Sequence, residues 1–363
     1  MGRLTPDGSA SVRLNLHVLG LGVLFTGIAG GAAFYVLGAT TFASGTNNNH
    51  VAEVASDGLV KPPTVTPTPL FTPTPAFTPT PDVPPPAVVP QCYGPRHYDA
   101  PTLRPADADS VFSNCQVVAY YGYPPVPGLG VLGQFDTPDQ MVAALKTVAA
   151  DFDGANGDRD VVPAIHLIAA IAQASPGADG TYLARAPASL IEQYIALAEK
   201  DDLLVILDLQ LGHASIDDEF AAVAPYLLNP RVHLALDPEW VTPGAPGTTI
   251  GSIDASTITH AQELLGTLAV TNHLPRKMLI VHRFTQGMIT NAQDLGTLQG
   301  VDLVIDIDGF GYAAAKSSEY NAFVRDAVMP HGGMKLFYHQ DVDLMTPAQV
   351  DALDPQPDVV IFQ

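Results

Sequence analysis

The stretch VHLALDPEW, residues 232–240, decides how the folded part of the chain is read. Side chains alternate along a strand. Val232, Leu234 and Leu236 therefore share one face, and His233, Ala235, Asp237 and Glu239 share the other. Large aliphatic side chains suit a layer between strands and covering helices. The second face then looks inward, with two acids at the carboxyl end of the strand. In a closed parallel barrel that end is where active sites are built.

Similar runs lie on either side. Strands are expected at 117–122, 161–168, 203–210, 277–284, 301–308, 334–340 and 358–363, as well as at 232–239. Helical patterns fall between most of them. Thr137, Pro138 and Gln140 predict an N-cap, a first-turn proline and a capping box, and Ser215 and Asp254 are N-cap candidates. Eight strands alternating with helices predict an α/β fold, a (β/α)8 TIM barrel over residues 91–363. The chain stops just after the eighth strand, and the segment around 93–115 is expected to fill the place of the last helix. An open doubly wound sheet is the rival. Its Gly-rich phosphate turn is missing, since YYGYPPVPGLGVLG after the first strand is too rich in proline to open a helix.

Upstream the composition changes. Residues 14–51 contain no Asp, Glu, Lys or Arg, and a bilayer needs about 20 apolar residues. The expectation is a short cytoplasmic N-terminus (1–13), a single transmembrane helix or signal anchor (14–44) and a Pro/Thr-rich stalk (45–90) with three TPTP repeats. Arg3 and Arg13 precede the span, which favours an internal N-terminus and a barrel outside the membrane. A cleaved signal peptide is the alternative. Cys92 and Cys115 are the two cysteines, and in an exported chain they are expected to pair. The net charge of −21, with 16 Lys and Arg, argues against nucleic acid as a partner.

The strand ends repeat the layout of 232–240. By parity His166, Asp208 with Gln210, His282, and Asp306 with Asp308 face inward, and Arg283 falls on the outward face or a loop. Tyr121 and Tyr123 share a parity at the start of the barrel, as Tyr338 and Gln340 do near its end. Clustered carboxylates repel, so one is held protonated beside an ionised neighbour. That division suits glycosidic cleavage, in which one acid protonates the leaving oxygen and the other attacks or activates water. Aromatic faces such as Trp240, beside Glu239, suit sugar rings.

The barrel resembles bacterial surface-anchored members of the glycoside-hydrolase-like (β/α)8 superfamily. YYGYP at 120–124, LALDPEW at 234–240 and DIDGFG at 306–311 carry the resemblance, which is one of architecture and acid placement. It implies a proton donor after the fourth strand, Glu239. The seventh strand has no acid, so the partner is expected at Asp306 or Asp308, or at Asp208. Asp237 and Asp208 would tune these groups. Tyr121, His166, Gln210, Trp240, His282, Tyr338 and Gln340 would bind a carbohydrate or cell-wall glycan. No cofactor is expected.

Two other readings stay open. His166, Asp208, His282 and Asp306 have ligand types that suit a metal-dependent hydrolase, though no H-x-H or H-E-x-x-H motif appears. A non-catalytic barrel could bind a surface glycan or another partner. Schiff-base chemistry is set aside because no lysine is read at the carboxyl end of a strand.

Overall fold

The structure, a computed structural model, describes residues 110–113, 115–157, 159–326 and 331–363, without the side chains of 325 and 326. The expected membrane span, the stalk and Cys92 lie outside them. Among the described residues no helix is long and apolar enough to cross a membrane.

Eight strands form the barrel: β1 Cys115–Gly122, β2 Asp160–Ala172, β3 Leu204–Leu209, β4 Val232–Leu236, β5 Lys277–Arg283, β6 Val301–Ile307, β7 His331–Leu336 and β8 Val359–Phe362. Each is parallel to its neighbour in chain order. The sheet closes because β1 pairs with both β2 and β8, Val117 standing opposite Val162 on one side and Val359 on the other. Closure leaves no strand edge within the barrel.

Helices α1 Pro138–Asp153, α2 Ala188–Asp201, α3 Ile216–Leu227, α4 Ala255–Thr271, α5 Ala313–Asp326 and α6 Pro347–Asp351 cover the outside. Their starts follow from side-chain chemistry. Thr137, Ser215 and Asp254 accept hydrogen bonds from the backbone N–H of Gln140, Asp218 and Ser256. The full reciprocal box forms at α6, between Thr346 and Gln349. Between β5 and β6 the described chain makes only 3-10 turns and a two-residue strand, Ile289–Thr290, paired with Ile253–Asp254.

Alternation divides the core into two layers. Val118, Ile165, Leu207, Leu234, Leu279 and Leu303 pack between sheet and helices. Val117, Ala164, Ile206, Ala235, Ile280 and Val304 fill the barrel. Residues 110–113 do not replace a last helix on the outside. They turn in at the amino end of the barrel, where Val111 and Phe112 join the interior cluster. There Ser110 Oγ donates to Asp302 Oδ2 at 2.7 Å, and the Phe112 ring lies 4.4 Å from that of His331. The apolar side chains of this short segment find unfilled interior space, and the hydroxyl finds a buried acid. Cys115 opens β1 and is disulfide-bonded.

Candidate active site

The inward positions near the carboxyl ends carry the chemistry, in two levels. The lower level is a continuous hydrogen-bonded chain across four strands. His166 Nε2 lies 2.9 Å from Asp208 Oδ2, and His282 Nε2 lies 2.8 Å from the same oxygen. His282 Nδ1 lies 2.9 Å from Asp306 Oδ2. All four residues are fully buried. Gly333, across the ladder from Asp306, makes room for it: a Cβ there would stand 2.8 Å from Asp306 Oδ1.

Electrostatics sets the protons in this chain. Burial pushes His166 down to about 4, against the pull of Asp208, so it is neutral at pH 7. Burial disfavours the charge on Asp208, but hydrogen bonds from His166 and His282 hold its carboxyl well below the usual range. For His282, burial and Lys335 oppose protonation, and contacts with Asp208 and Asp306 outweigh them. His282 is therefore an imidazolium that donates from both nitrogens to carboxylates.

His166, Asp208 and His282 stand close enough to hold a metal ion, as do His282, Asp306 and Asp308. Their spacing fits hydrogen bonds better. Ligand atoms about a tetrahedral zinc, with bonds of about 2.0–2.1 Å, stand about 3.3 Å apart. Here the hydrogen-bonded pairs lie at 2.8 and 2.9 Å, the His282–Asp308 pair alone stands at 3.4 Å, and both nitrogens of His282 are already engaged.

Above this chain opens a cleft. Its polar floor is Asp237, Glu239, Asp308 and Lys335. Trp240, Phe284, Phe310 and Phe337 supply aromatic faces, and Leu129, Ile168 and Ile171 make an aliphatic sector. Tyr121, Gln210 and Gln340 also line it.

Each acid on the floor has a different environment. Asp237 accepts the backbone N–H of Glu239 at 3.2 Å and Trp240 Nε1 at 2.8 Å, which fixes the turn after β4. Burial, together with Asp208 and Asp308, raises its carboxyl to about 6. Glu239 is raised well above the usual range by burial and by Asp237 and Asp308, with Lys335 and His282 opposing less strongly. The shift favours the neutral, proton-carrying form of Glu239. Asp308 is raised by burial too, but two cations approach it: Lys335 Nζ at 3.1 Å and His282 Nδ1 at 3.4 Å.

The residues expected at a binding surface separate by depth. Tyr121, Gln210, Trp240 and Gln340 line the cleft, as do Asp237, Glu239 and Asp308. His166, His282, Asp208 and Asp306 do not. They lie beneath the floor, and contact with a ligand there is closed to them by burial. Tyr338 is a correction of direction. Its hydroxyl is 3.4 Å from that of Tyr120, its ring stacks on Phe362 at 5.1 Å, and it faces outward.

The lysine at a strand end is a charged cleft residue that the sequence reading missed, as it missed the aromatics Phe284, Phe310 and Phe337. Lys335 sits on β7 and is 2% exposed. Its ammonium lies 3.8 Å from the Tyr121 ring centroid. Burial opposes the charge, but Asp308, Asp306 and Asp237 outweigh it and raise the group above its ordinary value. A charged amine is a poor Schiff-base nucleophile. A signal was present: Met334 and Leu336 are the large aliphatic side chains of β7, so Lys335 between them takes the inward parity, as does Phe337, and Tyr338 does not.

No protein-family model matches the sequence, and no curated protein matches it. Among solved structures, oxaloacetate acetylhydrolase in complex with the product oxalate is 13% identical, over 69% of this chain and 75% of that one, with a TM-score of 0.38. A hyperthermophilic endo-beta-1,4-glucanase in complex with substrate is 9% identical, over 71% and 91%, with a TM-score of 0.37. A tri-modular GH5 (subfamily 4) endo-beta-1,4-glucanase from Bacillus licheniformis is 12% identical, over 72% and 56%, with a TM-score of 0.39. Likeness at this level says nothing about chemistry. The eight-stranded parallel α/β barrel is established by this chain's own strand pairing.

Proposed function

We propose that this chain is a glycoside hydrolase that cleaves carbohydrate with Glu239 and Asp308. The observation that carries the reading is the unlike state of two acids in one cleft. Burial and neighbouring acids push Glu239 toward its neutral form, while Asp308 lies 3.1 Å from the Lys335 ammonium and 3.4 Å from the His282 ring. A neutral acid can protonate the glycosidic oxygen as the bond to the anomeric carbon breaks. An ionised one can attack that carbon, or take a proton from the water that does. Asp237 positions Glu239 and Trp240 through the backbone and the indole. Trp240, Phe284, Phe310 and Phe337 offer faces to sugar rings, and Gln210 and Gln340 offer hydrogen bonds to hydroxyls.

The lower chain of His166, Asp208, His282 and Asp306 supports the floor in this reading and does not touch substrate. The membrane anchor over 14–44, the stalk over 45–90 and a place outside the membrane belong to the same proposal. They rest on the charge-free apolar run and the TPTP repeats.

The test is incubation of the protein with a panel of polysaccharides and measurement of new reducing ends. Release of ends by the parent, lost by about 10²–10⁴-fold in Glu239→Gln with the fold retained, supports the reading. Binding without turnover would replace it with a glycan-binding barrel. Activity removed by a chelator and restored by Zn²⁺ would replace it with a metal-dependent hydrolase.

A further inference from the structure

We propose that Lys335 is a positioning residue whose ammonium, held between the Tyr121 ring and Asp308, fixes Asp308 as the ionised acid of the cleft. This rests on the glycosidase reading for its consequence, the choice of which acid gives up a proton, but not for its test.

The surroundings of Asp308 make the case. From the turn after β4 it faces Asp237 and Glu239, from β6 Asp306, and from β1 the hydroxyl-bearing ring of Tyr121. From α5 come Lys316 and Glu319. Lys316 is spent elsewhere, donating to the carbonyls of Gly309 and Lys335 and to Asp341 Oδ1. Burial and the neighbouring acids all favour a proton on Asp308. Against them stand His282 from β5 and Lys335 from β7. His282 is already shared, at 2.8 Å from Asp208 and 2.9 Å from Asp306, and reaches Asp308 only at 3.4 Å. Lys335, at 3.1 Å, makes the nearer contact.

The lysine is itself held. The Tyr121 ring lies under the ammonium, a cation–π contact. Gln210 Nε2 donates to the Tyr121 hydroxyl at 3.4 Å, and Gln210 Oε1 accepts the Ala172 N–H at 2.8 Å. A track of contacts thus runs from the backbone of β2, through Gln210 just after β3, Tyr121 on β1 and Lys335 on β7, to Asp308 just after β6.

The experiment follows the Asp308 carboxyl by ¹³C NMR titration in the parent, Lys335→Met and Lys335→Arg, with the signal assigned by its loss in Asp308→Asn. Removing an opposite charge within hydrogen-bond reach moves a carboxyl by about 1–3 pH units. Lys335→Met should therefore raise the Asp308 midpoint by at least about one unit, a tenfold tighter hold on the proton, and Lys335→Arg should restore most of it. The acid limb of kcat/KM should move up with it. An unmoved midpoint in a folded Lys335→Met protein overturns the proposal. If that variant does not fold, Tyr121→Leu carries the test: a loosened ammonium should shift Asp308 the same way by less, and no shift overturns it. Absence of hydrolysis would count against the glycosidase reading and leave the titration standing. Hydrolysis with an unmoved Asp308 would do the reverse.

Discussion

The two ends of the barrel each bury a lysine, and treat it in opposite ways. Lys277, at the amino end of β5, donates to the carbonyls of Asn229 and Val232 at 2.6 and 2.9 Å. With only dipoles for partners, burial lowers it to about 7. Lys335, toward the carboxyl end of β7, is as deeply buried but stands among carboxylates, which raise it. The acids differ in the same way. At the amino end Asp302 is met by Ser110 and Arg276, and Asp358 by Arg159 and His331. At the other end Asp208, Asp237, Glu239, Asp306 and Asp308 cluster, and the cations that contact any of them among the described residues are Lys335 and the two shared nitrogens of His282, Lys316 being engaged by Asp341. Matched groups stabilise one arrangement. Unmatched groups hold protons that can be moved, which is where perturbed acids and active sites coincide.

The contrast can be broken most severely at Glu239. Glu239→Gln removes the proton donor and should lower the hydrolytic rate by about 10²–10⁴-fold. It also removes a carboxyl whose charge the site disfavours. Its melting temperature at pH 7 should therefore equal or exceed the parent's, and a large fall would show that Glu239 is structural.

Next in size is Asp208→Ala, which leaves the His282 imidazolium short of a partner below the floor. Breaking a buried ion pair costs about 3–5 kcal/mol, readable as a lower urea midpoint. A loss under about 1 kcal/mol would mean that the chain of His166, Asp208, His282 and Asp306 carries no charge.

At the amino end the prediction concerns pH. The folded pKa of Lys277, about 7, lies below its unfolded value of about 10.4. The unfolded chain binds the extra proton between these values, so stability should rise as pH climbs from about 7 toward 10. The limiting slope is about 1.4 kcal/mol per pH unit. Lys277→Met should flatten that rise in urea titrations run at each pH, and an unchanged slope would show the lysine charged in place.

Smallest is Tyr338→Ala. Its ring contacts with Tyr120 and Phe362 lie outside the cleft, so a stability loss of about 1 kcal/mol is expected with kcat/KM within about twofold of the parent. A tenfold fall would return Tyr338 to the cleft.

Much of the fold was legible because alternation of two side-chain classes is a local signal. Val232, Leu234 and Leu236 marked the helix-facing side of β4, and the same rule placed Asp237, Glu239, Gln210 and Asp308 on the inward side. At β7 the same alternation, Met334 and Leu336, puts Lys335 inward and Tyr338 outward, against the inward parity expected for Tyr338. Depth was not legible at all. Asp306 and Asp308 share a parity, yet one lies under the floor and the other lines it.

The sequence by itself determined the order of strands and helices, the caps that start the helices, and which face of most strands turns inward, because each depends on residues a few positions apart. Only the tertiary structure decided which inward groups meet. Closure of the barrel sets Lys335 against Asp308, His282 between two aspartates, and Glu239 among acids without a cation of its own. Protonation follows from those distances and from exclusion of water, and both are properties of the assembled strands.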